Sequence, residues 1–245
     1  MKYASVFAVT IVSGTWLGAA AAAEIVVIES TSQRYMAGQL LDAAVSLMIA
    51  AGESVTVATE NARLIKIDGP HDGPAAGPAP DPSGVRRALA QLIIEERPAV
   101  GGVGGVRGDA DVEQAPDTRS DPWLVHAERS GDQCVVRDAG VGVWREDASQ
   151  AAVVDVGVSL SERTAQIRWD AGQQRATWPA ATTPSDDTVY LLRSAESLRS
   201  VPIRLHVLDP ALAGSSGGLA SAAWLAAKGC IDQARVLLRA SPAPG

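Results

Sequence analysis

The chain has 245 residues, of which 47% are hydrophobic and 4% aromatic, and its formal net charge at pH 7 is −7. The hydrophobic share is that of a folded protein and excludes a chain that is disordered throughout. The negative charge argues against nucleic-acid binding and against adhesion to anionic lipid, because both need a basic surface.

The first 23 residues are predicted to be a cleaved signal peptide. Lys2 precedes a long uncharged stretch, which ends in three alanines at positions 21–23, directly before Glu24. A positive start, an apolar run and an A-x-A motif are the marks of a secretory leader. An uncleaved membrane anchor is the alternative, because the uncharged run approaches the roughly 20 residues that span a bilayer. We expect cleavage before Glu24, a periplasmic or secreted location, and no membrane span after cleavage.

Residues 24–70 are predicted to form an N-terminal β unit. Apolar residues alternate with other residues over positions 45–49 and again over 55–57, and short polar breaks separate the runs. A period of two with such breaks is typical of a β-meander.

The segment over residues 37–70 resembles the β-repeat core of FecR-like domains. In that pattern one glycine precedes a short strand, a second glycine opens the next strand, and the apolar alternation closes on Gly-Pro. The matching positions here are Gly38, Leu40, Leu47, Gly52, Val55, Val57, Ile67 and Gly69. Members of this family are generally periplasmic parts of signal relays or envelope modules and have no catalytic residues, so the resemblance implies such a role.

Residues 71–122 are predicted to be a linker rich in Pro and Gly, with one short helix over about residues 83–96. Ser83 can cap the start of this helix, and Pro98 ends it. The apolar residues of its buried face are Val85, Ala88, Leu89, Leu92 and Ile93. Residues 99–121 lack periodicity and are interpreted as a long loop, which favours two separate units.

Residues 123–240 are predicted to form a β-sandwich-like domain that ends in a helix pair. Six to eight short strands are expected there. Two of them flank a polar turn before Cys134, and residues 170–174 are expected to close a hairpin between two later strands. The fold class expected for the whole chain is mainly β, of the α+β type.

The two cysteines, Cys134 and Cys230, are predicted to form a disulfide. An exported protein meets oxidising conditions, and an even cysteine count suggests pairing. Two buried free thiols are the alternative. The terminal helix is expected to begin near Leu219 and to break at Gly229. The disulfide would then staple this helical segment to the β domain.

The polar residues give no strong catalytic pattern. The three histidines have no metal-ligand spacing, and His206 is a candidate only for a local pair with Asp209. We therefore predict no catalytic residue, no cofactor and no metal site. Two adjacent carboxylate pairs, Asp186–Asp187 and Glu146–Asp147, could still contribute to a hydrolase site that leaves no recognisable motif.

Four tryptophans are the remaining candidates for a binding surface. They are Trp123, Trp144, Trp169 and Trp178. The mature chain has few other large aromatic residues, so core packing is the first interpretation and an exposed platform for glycans the second.

The sequence as a whole favours an exported, soluble, non-catalytic protein that binds another protein or an envelope component. The alternatives are a periplasmic hydrolase with a carboxylate site and a glycan-binding module that uses the tryptophans.

Overall fold

The computed structural model of the chain describes most of the sequence after residue 23. The described residues are 24–95, 119–137, 140–159, 161, 163–194, 200–214 and 218–240. The signal peptide predicted over residues 1–23 and nearly all of the long loop predicted over 99–121 lie outside them. The described part is mainly β, with one helix in mid-chain and two at the end. The predicted fold class is therefore confirmed.

Four N-terminal strands form an antiparallel sheet in the order β2-β1-β4-β5. They are β1 (Glu24–Ser30), β2 (Leu40–Asp42), β4 (Ser54–Thr59) and β5 (Leu64–Asp68). Two further strands, β3 (Leu47–Ile49) and β6 (His71–Gly73), pair with each other. The alternating residues Val55, Val57 and Ile67 are buried, as expected of the inner face of such a sheet.

Two positions in the turns between these strands require glycine. Gly52 has a φ of +84°, a backbone conformation that side chains with a Cβ rarely adopt. A Cβ at Gly69 would lie 1.9 Å from the carbonyl oxygen of Ala50, so only glycine fits there. Both positions belong to the glycine pattern of the N-terminal segment.

Helix α1 (Pro82–Glu95) matches the predicted helix to within one residue at each end. Its apolar face is buried at Val85 and Leu89 and lies against β1. The cap is Asp81 rather than Ser83, because the Asp81 carboxylate accepts hydrogen bonds from the backbone amides of Ser83 at 3.3 Å and Gly84 at 3.1 Å. The proline at the first helical position fixes this start.

We expect Asp81→Ala to lower the melting temperature at neutral pH. The hydrogen bond from the Ser83 hydroxyl, with the amides of Ser83 and Gly84, lowers the pKa of Asp81 below its ordinary value of 3.8. A lowered folded-state pKa means that the charge stabilises the fold above the ordinary value and that this stabilisation is lost as pH falls through the folded value. Thermal unfolding should therefore show the difference from the parent shrinking below about pH 4.

The same substitution at Asp170, which is exposed and caps no helix, serves as the control. A difference between parent and Asp81→Ala that stays constant down to acidic pH would contradict the capping role.

The C-terminal part consists of two sheets that share one core. The larger has the order β11-β10-β13-β14-β8, and the smaller β12-β9-β7. The larger contains β8 (Gly131–Val136), β10 (Ala152–Val158), β11 (Thr164–Trp169), β13 (Thr188–Ser194) and β14 (Ser200–Leu208). The smaller contains β7 (Val125–His126), β9 (Gly142–Trp144) and β12 (Arg175–Thr177). Val125 and Val143 from the small sheet belong to the same buried cluster as Ile167 and Leu205 from the large one, which is a sandwich-like arrangement.

The two strands predicted around the polar turn before Cys134 are present but do not pair with each other, and the hairpin predicted at residues 170–174 is absent. The strands on either side of the polar turn before Cys134 are β7 and β8, and they lie in different sheets, each parallel to a later strand. Residues 170–174 likewise do not close a hairpin, because β11 pairs with β10 while β12 pairs with β9. Arg145 explains the second case: its backbone amide donates to the carbonyl of Gln174 at 3.0 Å and its Nε to that of Gln173 at 3.0 Å. These bonds draw the loop towards β9.

The two C-terminal helices are α2 (Gly218–Ala227) and α3 (Ile231–Ala240). The predicted break at Gly229 is confirmed, and its φ is +77°. Together with α1 they form a helical layer that contacts β1 of the N-terminal sheet on one side and β8 on the other. A single buried cluster runs through this layer from Val26 to Trp224 and Cys134. None of the described helices combines the length and apolar character needed to cross a membrane.

The predicted disulfide is present in this layer. Cys134 on β8 and Cys230 in the connection between α2 and α3 have their sulfur atoms 2.03 Å apart. Their exposed fractions are 0% and 1%. The bridge joins the terminal helix pair to the edge strand of the large sheet, as the sequence predicts.

Two buried glutamines complete backbone pairing on the edge strands of the two sheets. The side chain of Gln233 on α3 accepts from the amide of Cys134 at 2.6 Å and donates to its carbonyl at 2.7 Å. Gln133 on β8 does the same for His126, with distances of 2.6 Å and 3.0 Å. Each side-chain amide satisfies both backbone groups of one residue, as a neighbouring strand would.

Candidate functional site

The four candidate tryptophans are mainly core residues. Exposed fractions are 5% for Trp144, 2% for Trp169 and 5% for Trp178, and Trp123 is half-buried. Trp178 packs edge-on against Tyr190 with ring centroids 5.2 Å apart, and the Arg145 guanidinium lies 5.7 Å from the Trp169 ring. A glycan platform would need Trp169 and Trp178 exposed and coplanar. The glycan-platform interpretation is therefore wrong for Trp169 and Trp178, because both side chains pack between the two sheets.

A polar cluster surrounds His206 on β14. Its Nε2 lies 2.9 Å from Oδ1 of Asp132 on β8, and its Nδ1 lies 4.0 Å from Oδ1 of Asp186. The candidate pair with Asp209 does not form, because the Asp209 carboxylate accepts from the amide of Ala211 at 2.8 Å and caps a short 3-10 turn. The parallel pairing of β8 with β14 is what places Asp132 beside the imidazole.

The adjacent carboxylates of Asp186 and Asp187 do not share a site. Asp186 accepts from the backbone amide of Val207 at 2.9 Å, whereas Asp187 lies 3.3 Å from Nη1 of Arg204. Nε of Arg204 is also 3.9 Å from Oδ1 of Asp132. These carboxylates therefore act as separate anchors of neighbouring strands rather than as a paired acid and base.

The second predicted pair, Glu146 and Asp147, also diverges. The amide and hydroxyl of Ser149 donate to Asp147 and hold the pKa of that exposed carboxyl below its usual range. Glu146 instead lies beside His126 and Glu128, with one potential ligand atom from each of the three within 4.8 Å of the others. The sequence interpretation missed this group because parallel pairing of β7 with β9 brings its members together.

The residue types of the His126, Glu128 and Glu146 group are ones that divalent metals bind. Hydrogen bonds within the group already account for its geometry. The amide of Glu128 donates to Nδ1 of His126 at 3.2 Å, and the amide of Glu146 donates to Oε2 of Glu128 at 3.2 Å. Because Nδ1 of His126 and Oε2 of Glu128 already accept these hydrogen bonds, we assign no ion to the group.

A concave site lies where the N-terminal sheet meets the end of β14 and helix α2. This cleft has a volume of about 670 Å³. Its acidic lining residues are Glu24, Asp42, Glu60, Asp186 and Asp209, and its basic ones are Arg137 and Lys228. Carboxylates that outnumber cations in a concave surface focus a negative potential into it.

One of the two cations in the cleft is already engaged. Nζ of Lys228 lies 3.4 Å from Oε2 of Glu24 and 6.0 Å from the centroid of the Trp224 ring. Trp224 is buried beneath it and donates from Nε1 to the carbonyl of Thr59 at 3.3 Å. The basic residues of the cleft therefore offset only part of its negative charge.

Comparison with known proteins gives no match: no family model, no curated protein and no solved structure is similar to the chain. No sequence motif marks the residues of the cleft. Its walls come from residues 24–60 and from residues beyond 136, and the acids share no spacing.

Proposed function

We propose that the chain is an exported, non-catalytic binding protein whose acidic cleft receives a positively charged segment of a partner protein. The observation that carries this proposal is the excess of carboxylates in one concave site of suitable size. The leader and the buried disulfide support the export part, because such a bridge persists in an oxidising compartment.

The cleft carboxylates are held in fixed positions, which favours binding. Backbone amides donate to Asp42 at 2.8 Å, to Asp186 at 2.9 Å and to Asp209 at 2.8 Å. An ionised carboxylate offers about four acceptor positions, so each group can still accept hydrogen bonds from an ammonium or a guanidinium. Acceptors fixed by the fold lose little freedom when a cationic ligand binds.

The resemblance of the N-terminal sheet to FecR-like domains belongs to the same proposal. It is supported by the burial of Val55, Val57 and Ile67 and by the positive φ of Gly38 and Gly52. Such a domain would make an envelope protein the expected class of partner.

Binding of a fluorescein-labelled tetralysine peptide, followed by fluorescence anisotropy, tests the cleft. We expect the double variant D42N/D186N to bind about tenfold more weakly than the parent, since each lost charge contributes about 0.7 kcal/mol in a partly exposed site. Asparagine keeps an oxygen that can accept from the backbone amide, so the fold is retained while the charge is removed.

The variant D72N/D170N is the matched control, because it removes the same charge from exposed positions outside the cleft. Affinity of the parent should also fall as salt concentration rises. Equal weakening in both double variants, or no measurable binding by the parent at low salt, would exclude the cleft as a cation site.

A further inference from the structure

The first residue after the predicted leader is also the first residue of strand β1. Strand β1 begins at Glu24, and Ile25 and Val26 directly after it are fully buried. The backbone nitrogen of Glu24 donates to Oε1 of Glu60 at a distance of 3.2 Å. The atom that leader cleavage would convert into a free amine therefore already lies against a carboxylate.

The surroundings of that nitrogen are rich in negative charge. Glu24 lies opposite Asp42 in the register of β1 and β2, and like charges in directly opposite positions destabilise a sheet. The Glu24 side chain is held by Lys228, with Nζ and Oε2 3.4 Å apart. One further positive charge at the backbone nitrogen would offset part of the remaining excess.

The turn that carries Glu60 is fixed by contacts in addition to the pairing of β4 with β1. It lies in the turn between β4 and β5, where the amide of Thr59 donates to the carbonyl of Arg63 at 2.9 Å. The Trp224 indole fixes the same turn from helix α2, through its bond to the Thr59 carbonyl at 3.3 Å. The acceptor is thus built into the rim of the cleft.

We propose that leader removal creates an ion-pair latch, in which the α-ammonium of Glu24 binds the Glu60 carboxylate and fastens the first strand to the cleft rim. A leader peptidase would hydrolyse the amide between Ala23 and Glu24. Water supplies the hydroxyl of the new Ala23 carboxyl group and a hydrogen for the new Glu24 amine, which takes up a proton at neutral pH. The latch rests on the export part of the proposed function. It makes the processed chain more stable than an unprocessed one.

A double-mutant cycle tests the latch. One chain begins at Glu24 and another carries a Gly-Ser extension before Glu24, and each is prepared with Glu60 and with Glu60→Gln. The extension keeps an N–H donor at Glu24 but removes its charge. We expect Glu60→Gln to lower the melting temperature by about 2 °C more in the chain that begins at Glu24 than in the extended chain.

Glu29→Gln is the control, because Glu29 is an exposed carboxylate on the same strand and should have the same effect in both chains. Equal effects of Glu60→Gln in both chains would overturn the latch. The intact mass of protein exported with its leader must correspond to residues 24–245, and any other start would also overturn it. The peptide-binding assay is a separate readout, so loss of cation binding with an intact cycle would reject only the function of the cleft.

Discussion

The C134A/C230A variant is expected to unfold with about 4–5 kcal/mol less free energy than the oxidised parent chain. The bridge joins residues separated by 96 positions, so it restricts a long loop of the unfolded chain. For a domain of this size the loss should lower the melting temperature by about 10–20 °C. Urea unfolding monitored by tryptophan fluorescence gives the free energy directly, because several indoles lie in the core.

Reduction of the parent chain is the matched control for this variant. A thiol reductant should bring the parent close to the stability of C134A/C230A and should leave the variant itself unchanged. Alanine keeps both buried positions small and apolar, so cavity formation adds little. If oxidised and reduced parent unfold at the same urea concentration, the bridge does not stabilise the fold.

The disulfide could be predicted from the sequence because only two cysteines are present and each can be judged from the residues around it. Two cysteines in a chain predicted to be exported allow a single intramolecular pair. The sequence also places the second cysteine in a run of small apolar residues, and Ala223, Ala226 and Ala234 are buried around the connection that carries Cys230. The break at Gly229 could also be predicted from nearby residues, because a glycine within an apolar helical pattern marks the end of a helix.

Strand partners could not be predicted in the same way. Alternation shows that β7, β8, β11 and β12 are strands, but ladder hydrogen bonds are made by backbone groups that every residue shares. A polar turn shows that the chain changes direction without showing which backbone it meets next. Two side chains act outside the ladders: Gln133 bonds to the backbone of His126 on β7, and Arg145 bonds to the carbonyl of Gln173 in a distant loop. Neither leaves a periodic pattern in the sequence.

The candidate site depends on those unpredictable pairings. His206 meets Asp132, which lies 74 positions earlier in the chain, only because β14 and β8 run parallel. The acidic cleft likewise joins Asp42 to Asp186 across two sheets and a helical layer. The acids themselves are ordinary surface residues in the sequence, so composition indicates negative charge and cannot show where it converges.

The Gln233→Leu variant is expected to lose about 3 kcal/mol of unfolding free energy. Gln233 is buried and accepts from the amide of Cys134 while donating to the carbonyls of Cys134 and Pro122. Leucine fills a similar volume but leaves one donor and two acceptors buried without these partners. Each such group costs roughly 1–3 kcal/mol, and local relaxation recovers part of the sum. Chemical denaturation measures the loss.

Gln91→Leu is the matched control, because Gln91 is exposed on α1 and the same change should shift stability by less than about 0.5 kcal/mol there. Gln233 and the disulfide hold the same residue of β8, so their effects should not add. In the C134A/C230A background the terminal helices are already less tightly bound to β8, and Gln233→Leu should cost less than in the parent. A full and additive loss in that background would mean that the glutamine and the bridge anchor α3 independently.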